Sequence, residues 1–169
     1  MKRVLLILVL GVLLLGACGS PTTAPPAEEV STNWVTYRNP TYGYTIDYPR
    51  DWDLDTSEAP EDVSIHPPTT ALAAVTIMVF ESSLPIATRT GLFRDSYLAG
   101  WENSKVISSR SLEGKWQWTI EFTYTFEGMH LRGEAYFGET LDYQYAVIWE
   151  SQVGWASACK KVAETFVAH

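Results

Sequence analysis

The chain is poor in cysteine, methionine, histidine and positive charge, and no apolar run in it is long enough to cross a membrane. Two cysteines in 169 residues exclude a disulfide-built scaffold, which needs several pairs to replace a core. The first apolar run, Val4–Leu15, has 12 residues, whereas a spanning helix needs ~20. Twelve basic residues against 20 acidic ones give a net charge of −8. Such a surface repels phosphate backbones and anionic lipid, and no basic stripe offsets it, so nucleic acid is not an expected partner. The sequence contains no G-x-S-x-G elbow, H-E-x-x-H pair, phosphate loop or dinucleotide fingerprint, and those chemistries are therefore not signalled. The length suits one domain with extensions, since domains run ~100–150 residues. With 46% apolar and 19% charged residues the composition is that of a folding chain.

What is present begins with an address. Lys2 and Arg3 form a short positive segment, and Val4–Leu15 is an apolar segment in the ~7–15 residue range of secretory signals. Leu15-Gly16-Ala17-Cys18 resembles the lipobox of bacterial lipoproteins. There, small residues admit the peptidase at a cleavage point after Ala17, and the Cys18 thiol takes a diacylglycerol, with acylation of the freed amine (palmitate or a similar chain). Each buried methylene contributes ~0.8 kcal/mol, and two or more chains anchor stably where one does not. Residues 1–17 are thus expected to be a removed signal. Lys2 and Arg3 leave with it, so the mature chain keeps 10 basic residues against 20 acidic ones, a charge of −10. Lipid, not charge, is the expected hold on the membrane. Gly19 after the cysteine resembles an outer-membrane-directed lipoprotein where the cell has an outer membrane.

Residues 18–33 read as the lipidated cysteine followed by a tether, GSPTTAPPAEEVSTN, with three prolines and no aromatic residue. A segment of this kind buries too little surface to order itself, and ~15 residues at ~3.1 Å each reach ~45 Å. A single domain is expected over 34–169.

Within that domain Tyr42, Tyr44, Ile46 and Tyr48 alternate with polar residues up to Pro49, the pattern of a half-buried strand. Trp52 and Leu54 begin a second short strand. Ala73–Phe80 is apolar on both faces and predicts a central strand. Over Thr90–Trp101 the four-residue spacing of Phe93, Tyr97 and Trp101 predicts a helix with one aromatic face. Lys115–Glu127 alternates most cleanly, with Trp116, Trp118, Ile120, Phe122, Tyr124 and Phe126 on one side, and predicts a long antiparallel strand with a wet face. Glu127-Gly128 predicts a turn, Met129–Phe137 and Tyr143–Glu150 two more strands, and Val153–Ala168 an amphipathic helix with Trp155, Cys159, Val162 and Phe166 inward. The order implies an α+β domain with a mostly antiparallel sheet covered by helices.

The stretch Tyr37–Trp52 (YRNPTYGYTIDYPRDW) resembles the opening of PsbP-like domains: an aromatic residue and Asn, then Gly-aromatic, an aliphatic strand, and Pro-x-x-Trp. The ending, with Gly154-Trp155, a lysine-bearing helix and Thr165-Phe166, is similar to the family's as well. That family includes PsbP, an extrinsic lumenal subunit of photosystem II, bacterial lipoproteins of unassigned role and a eukaryotic Ran-binding relative. The resemblance covers about residues 34–168. It implies an α-β-α sandwich and accessory or assembly duty rather than catalysis. No histidine or carboxylate here matches the family's metal motifs, so no metal ligand is carried over.

Candidate chemistry is sparse. Asp51, Asp53 and Asp55 imitate the start of a calcium loop, with Asp62 at its twelfth position, but Thr56 stands where glycine is required and Pro60 interrupts. They form a weak calcium candidate that competes with a solvated strand face. His66, His130 and His169 lie far apart in sequence. Glu121, Glu127 and Glu134 fall on the polar phases of their strands. Cys159 reads as a small buried hydrophobe. Trp116, Trp118 and Trp149 are the candidate ligand platform, where indoles would stack a sugar or a pigment; the alternative is that they are core.

The expected function is therefore that of a membrane-anchored extracytoplasmic lipoprotein, a non-catalytic binding or assembly accessory to an envelope or photosynthetic membrane complex. Its expected partners are the membrane, through the N-terminal lipid, and a protein of the envelope; no cofactor is implied. The alternatives are a lipoprotein that binds a sugar, lipid or pigment and, third, an envelope hydrolase built from carboxylates and a histidine.

Overall fold

A computed structural model describes residues 33–68, 72–81 and 83–169. The signal, the lipobox residues Leu15, Gly16, Ala17 and Cys18, and all of the tether except Asn33 lie outside the described residues.

The domain opens with a hairpin of β1 (Trp34–Asn39) and β2 (Tyr44–Pro49), paired antiparallel from Trp34↔Pro49 to Asn39↔Tyr44. Gly43 permits the turn because its φ is +63°, a conformation that side chains disfavour. Asn39 secures that turn. Its Oδ1 accepts from the backbone N–H groups of Thr41 and Tyr42, both at 3.0 Å, and its amide donates to the Pro60 carbonyl at 3.1 Å. A buried amide satisfied this way is stable where an unpaired one would be costly. β2 points Tyr44 and Ile46 inward, fully buried, as its alternation predicts.

Among the described residues eight further strands and two α-helices follow. A second, entirely antiparallel sheet has seven strands in the order β3-β4-β5-β9-β8-β7-β6. They are β3 (Asp53–Asp55), β4 (Asp62–His66), β5 (Ala73–Glu81), β6 (Glu102–Ser111), β7 (Trp118–Phe126), β8 (Met129–Glu139) and β9 (Tyr143–Ser151). β9 is the central strand and alone joins the two halves: β5 flanks it on one side and β8 on the other. It is buried from Gln144 through Trp149 because both sheet faces are covered. On one face Ile120, Phe122, Leu131, Phe137 and Ile148 pack with Phe93 and Leu98 of the first helical segment. On the other, Val75, Ile77, Val147 and Trp149 pack with Cys159 and Val162 of α2 (Ala156–Glu164) and with Tyr44 and Ile46 of the small sheet. The result is an α+β, α-β-α sandwich, as expected from the sequence.

Several boundaries differ from expectation, each for a physical reason. The first helix starts at Ile86, just after Pro85, whose fixed φ suits a helix entrance. α1 (Ile86–Leu92) then loosens into a π-turn over Phe93–Tyr97 and tightens into a 3₁₀ turn over Leu98–Gly100, with Trp101 already extended. The aromatic face persists: the Phe93 and Tyr97 rings stack at 4.8 Å. The 13-residue strand expected over 115–127 is nine residues long. Its polar face is not uniformly wet, since Thr119 and Thr125 are buried; the Thr119 hydroxyl donates to Glu134 at 3.1 Å. The last helix ends at Glu164 instead of Ala168. Thr165 leaves the helix there, its Oγ1 accepting from the Asp47 N–H at 2.9 Å, and β10 (Val167–Ala168) pairs with β2 to complete the small sheet. The turn at Glu127-Gly128 forms as expected, both residues having positive φ, +48° and +78°, the backbone of a two-residue type I′ hairpin.

Candidate functional site

A groove of about 620 Å³ lies between α2 and the β6–β8 end of the large sheet. Antiparallel register builds its floor. Lys105 of β6 stands opposite Thr123 of β7, Thr123 opposite Arg132 of β8, and Arg132 opposite Ser151 of β9. Cross-strand partners project from the same face, so these four residues form one row across the sheet. His130 borders the row, its Nδ1 lying 3.3 Å from the Thr125 hydroxyl. At one end the row runs out to the exposed edge strand β6; at the other it meets Val153, Gly154 and the first turn of α2. Gly154 has φ +115°, which lets the chain turn sharply from β9 into the helix.

The electrostatics of this row oppose those of the whole chain. Lys105, Arg132 and His130 line it in a protein of net charge −8. Arg132 donates to Glu121 at 2.6 Å, with most of the guanidinium exposed. Among the described residues Lys105 has no ion-pair partner. At the inner end the Ser151 hydroxyl is buried and, among the described residues, has no hydrogen-bond partner. A buried hydroxyl left unpaired is unfavourable. The arrangement can therefore receive a segment or molecule that is anionic in part and apolar in part.

The structure separates the residues singled out from the sequence. Trp149 and Trp118 lie on opposite faces of the large sheet: Trp149 is buried against the α2 side, and Trp118 packs with the α1 side, its indole N–H donating to Ser109 at 2.9 Å. Trp116 precedes β7 and stacks on Phe166 at 5.4 Å. Trp118 is separated from the other two by the sheet: Trp116 lies before the strand begins, so strand alternation does not hold it on the Trp118 side, and it packs with the α2-side core that buries Trp149. Asp53 and Asp55 are exposed on β3, Asp51 lies in the turn before it, and Asp62 is on β4 opposite Met78. Among the described residues no three His, Cys, Asp or Glu side chains are grouped as metal ligands would be.

Two of the glutamates singled out from the sequence, Glu121 and Glu134, are engaged with basic residues. Glu121 and Glu134 face each other across β7 and β8, a repulsive pairing relieved by Arg132 on Glu121 and by Lys160 on Glu134 at 3.1 Å. Burial works to raise the Glu134 carboxyl, but hydrogen bonds from Tyr136, Lys160 and Thr119 outweigh it and hold the group below its usual range. Glu127 sits in the hairpin turn. His66 ends β4, and His169 lies 3.4 Å from the Thr45 hydroxyl. Among the described residues no hydrogen bond joins a histidine to a carboxylate or to Ser151. Cys159 is fully buried on α2, and burial pushes its thiol up to about 12, the state of an inert core cysteine.

No protein-family model and no curated protein matches the chain. Solved structures do. Cyanobacterial PsbP (CyanoP) from Synechocystis is similar over 92% of this chain and 99% of its own, with 17% identity and a TM-score of 0.60. The Saccharomyces cerevisiae Ran-binding protein Mog1p is similar over 82% of this chain and 96% of its own, at 6% identity and a TM-score of 0.58. LpqN, involved in cell envelope biogenesis of Mycobacterium tuberculosis, is similar over 79% of this chain and 86% of its own, at 13% identity and a TM-score of 0.52. The fold is PsbP-like. It hosts proteins of different duties, so function must be read from the site.

The basic row itself was not singled out from the sequence. Lys105, Thr123, Arg132 and Ser151 come from four strands, and only pairing register brings them together. The available signal was weak: Arg132 and Lys105 are two of few cations in an acidic chain.

Proposed function

We propose that this protein is a lipid-anchored, extracytoplasmic binding accessory that holds an acidic segment of an envelope or photosynthetic-membrane protein in the α2 groove and catalyses no reaction. The observation that carries this reading is the cross-strand row of Lys105, Thr123, Arg132 and Ser151, a basic strip ending in an unpaired hydroxyl on an otherwise acidic protein. Complementary charge gives such a site specificity and a fast encounter. The lipobox-like Leu15-Gly16-Ala17-Cys18 and the proline-rich residues behind it support a location outside the cytoplasm with the domain held near a membrane. A second reading, a small amphiphilic ligand with an acid group, is favoured by the groove's volume of about 620 Å³, which is within the range of small-ligand sites.

Two experiments test these parts separately. Expressed in a bacterium, the Cys18→Ser chain is expected to leave the membrane fraction that retains the wild type; equal retention of both would overturn the lipid anchor. For the groove, cross-linking and capture from envelopes should retrieve an acidic partner with the wild type. The Lys105→Glu/Arg132→Gln variant should retrieve that partner about tenfold less, since rim charges act mainly on encounter and salt sensitivity. Equal retrieval by the two proteins would remove the groove from the proposal. A loss of a bound acidic lipid in place of a protein would establish the second reading.

A further inference from the structure

Glu150 and Ser151 are neighbours on β9, so they project to opposite faces of the sheet. Ser151 lies in the groove described above. Glu150 lines a separate cavity of about 190 Å³ on the α1 face, together with His66, Trp101, Tyr124, Phe126 and Leu131. The groove uses no part of this carboxylate.

Three aromatic side chains shape the cavity. Trp101 packs against Tyr124 with ring centroids 5.3 Å apart and against Phe126 at 5.4 Å. Two of those rings are at different attitudes to the indole, one tilted by 31° and the other edge-on at 76°, so they form a corner instead of a flat stack. The carboxylate is held at that corner. The Tyr97 hydroxyl donates to Glu150 Oε2 at 3.2 Å, and the Tyr124 hydroxyl is also its hydrogen-bond partner. Two neutral donors orient the group without neutralising it. Among the described residues no Lys or Arg pairs with Glu150; His66 lies on the same cavity wall.

A largely buried acid without a cation is an expensive arrangement. Burial drives the carboxyl above its usual range, and the two tyrosine hydrogen bonds oppose that rise. A cation in the cavity would supply the missing counter-charge. A bare metal ion is poorly served, because rings line the site and among the described residues one carboxylate is its only anionic oxygen donor. An organic ammonium suits it: ring faces attract the diffuse positive charge, most strongly when water is excluded, and the carboxylate completes the neutralisation.

We propose that the Glu150 cavity is a binding site for an organic ammonium group, quaternary or protonated, seated against Trp101, Tyr124 and Phe126. Two sources offer this chemistry, a free amine and the headgroup of a choline- or ethanolamine-bearing lipid.

The test uses the full chain and three probes. They are choline, n-butylammonium and the neutral carbon analogue of choline, in which a tert-butyl group replaces the trimethylammonium. Saturation-transfer NMR on the probe methyl protons reads binding, and quenching of tryptophan emission reads it independently. Choline is expected to bind about tenfold more tightly than its neutral analogue, the differential that a desolvated cation–ring contact supplies. Glu150→Gln, which can still accept from both tyrosines, should remove that preference. Trp101→Leu should weaken both cations. Equal binding of choline and its neutral analogue to the wild type, or no binding of either cation at millimolar concentration, overturns the proposal without reliance on any variant. Vesicles identify the source: phosphatidylcholine that displaces choline where phosphatidylglycerol does not indicates a headgroup, and choline binding that vesicles leave unchanged indicates a free amine.

Discussion

Phe166→Ala is expected to remove about 3–5 kcal/mol of stability, the range for emptying a buried aromatic site, and so most of the ~5–15 kcal/mol that holds a domain together. Phe166 sits on the short link between α2 and β10 and is 2% exposed. Its ring lies 5.2 Å from Tyr44 of the small sheet, 5.4 Å from Tyr145 of the large sheet and 5.4 Å from Trp116. One side chain thus fastens three pieces that have no other common contact point among the aromatic pairs. Its carbonyl also accepts from the Lys115 ammonium at 2.9 Å, which pins the segment before β7. Because little of this junction can collapse into the vacated space, the cavity contribution should be near the upper end. Urea unfolding followed by tryptophan emission measures the loss. Phe166→Leu should recover more than half of it, and Leu141→Ala, at a side chain 98% exposed, should change stability by less than about 0.5 kcal/mol. A loss below about 1 kcal/mol for Phe166→Ala would mean that the sheets do not depend on this contact.

The second large effect comes from adding atoms. A Cβ at Gly133 of β8 would lie 2.5 Å from the Trp149 carbonyl oxygen and 2.6 Å from the Phe122 ring. The oxygen belongs to the central strand and cannot step aside without breaking ladder bonds. Gly133→Ala is therefore expected to destabilise by about 3 kcal/mol, the upper range for overpacking. The requirement here is space; Gly133 has no positive φ. Phe122→Leu in the Gly133→Ala background should relieve the ring clash and leave the carbonyl clash, so the double variant should lose less than the two single losses added. Thermal unfolding of the four proteins reads this coupling. Strict additivity would show that the Phe122 ring yields freely and that the carbonyl alone sets the penalty.

What could be read in advance follows from how each element buries itself. β7 was legible because Trp118, Ile120, Phe122 and Tyr124 alternate against one apolar core. The hairpin at Glu127-Gly128 was legible because few pairs of residues fit two positive φ values. Cys159 and Val162 declared a helix stripe, and both are fully buried. β6 escaped because an edge strand of ENSKVISSRS, mostly exposed and broken by register shifts, has no apolar phase to display; edges are polar by design against aggregation. The end of α2 was misplaced because Phe166 and Val162 keep helical spacing even after Thr165 has left the helix. The π-turn at Phe93–Tyr97 preserves an aromatic face that an ordinary helix would also show, so the spacing could not distinguish them. Both candidate sites depend on register between strands remote in sequence, and no local pattern announces that.

The position of β9 has a consequence for the order of events during synthesis. Residues 53–81 and 102–139 form two strand groups that meet only through residues 143–151. β2, made early, finds its second neighbour only when residues 167–168 emerge. Closing such distant contacts is slow, and until it happens the two half-sheets expose unpaired edges. A nascent chain of this topology stays pliable until residues 143–151 and 167–168 are in place. Until then it can still be threaded through a narrow channel.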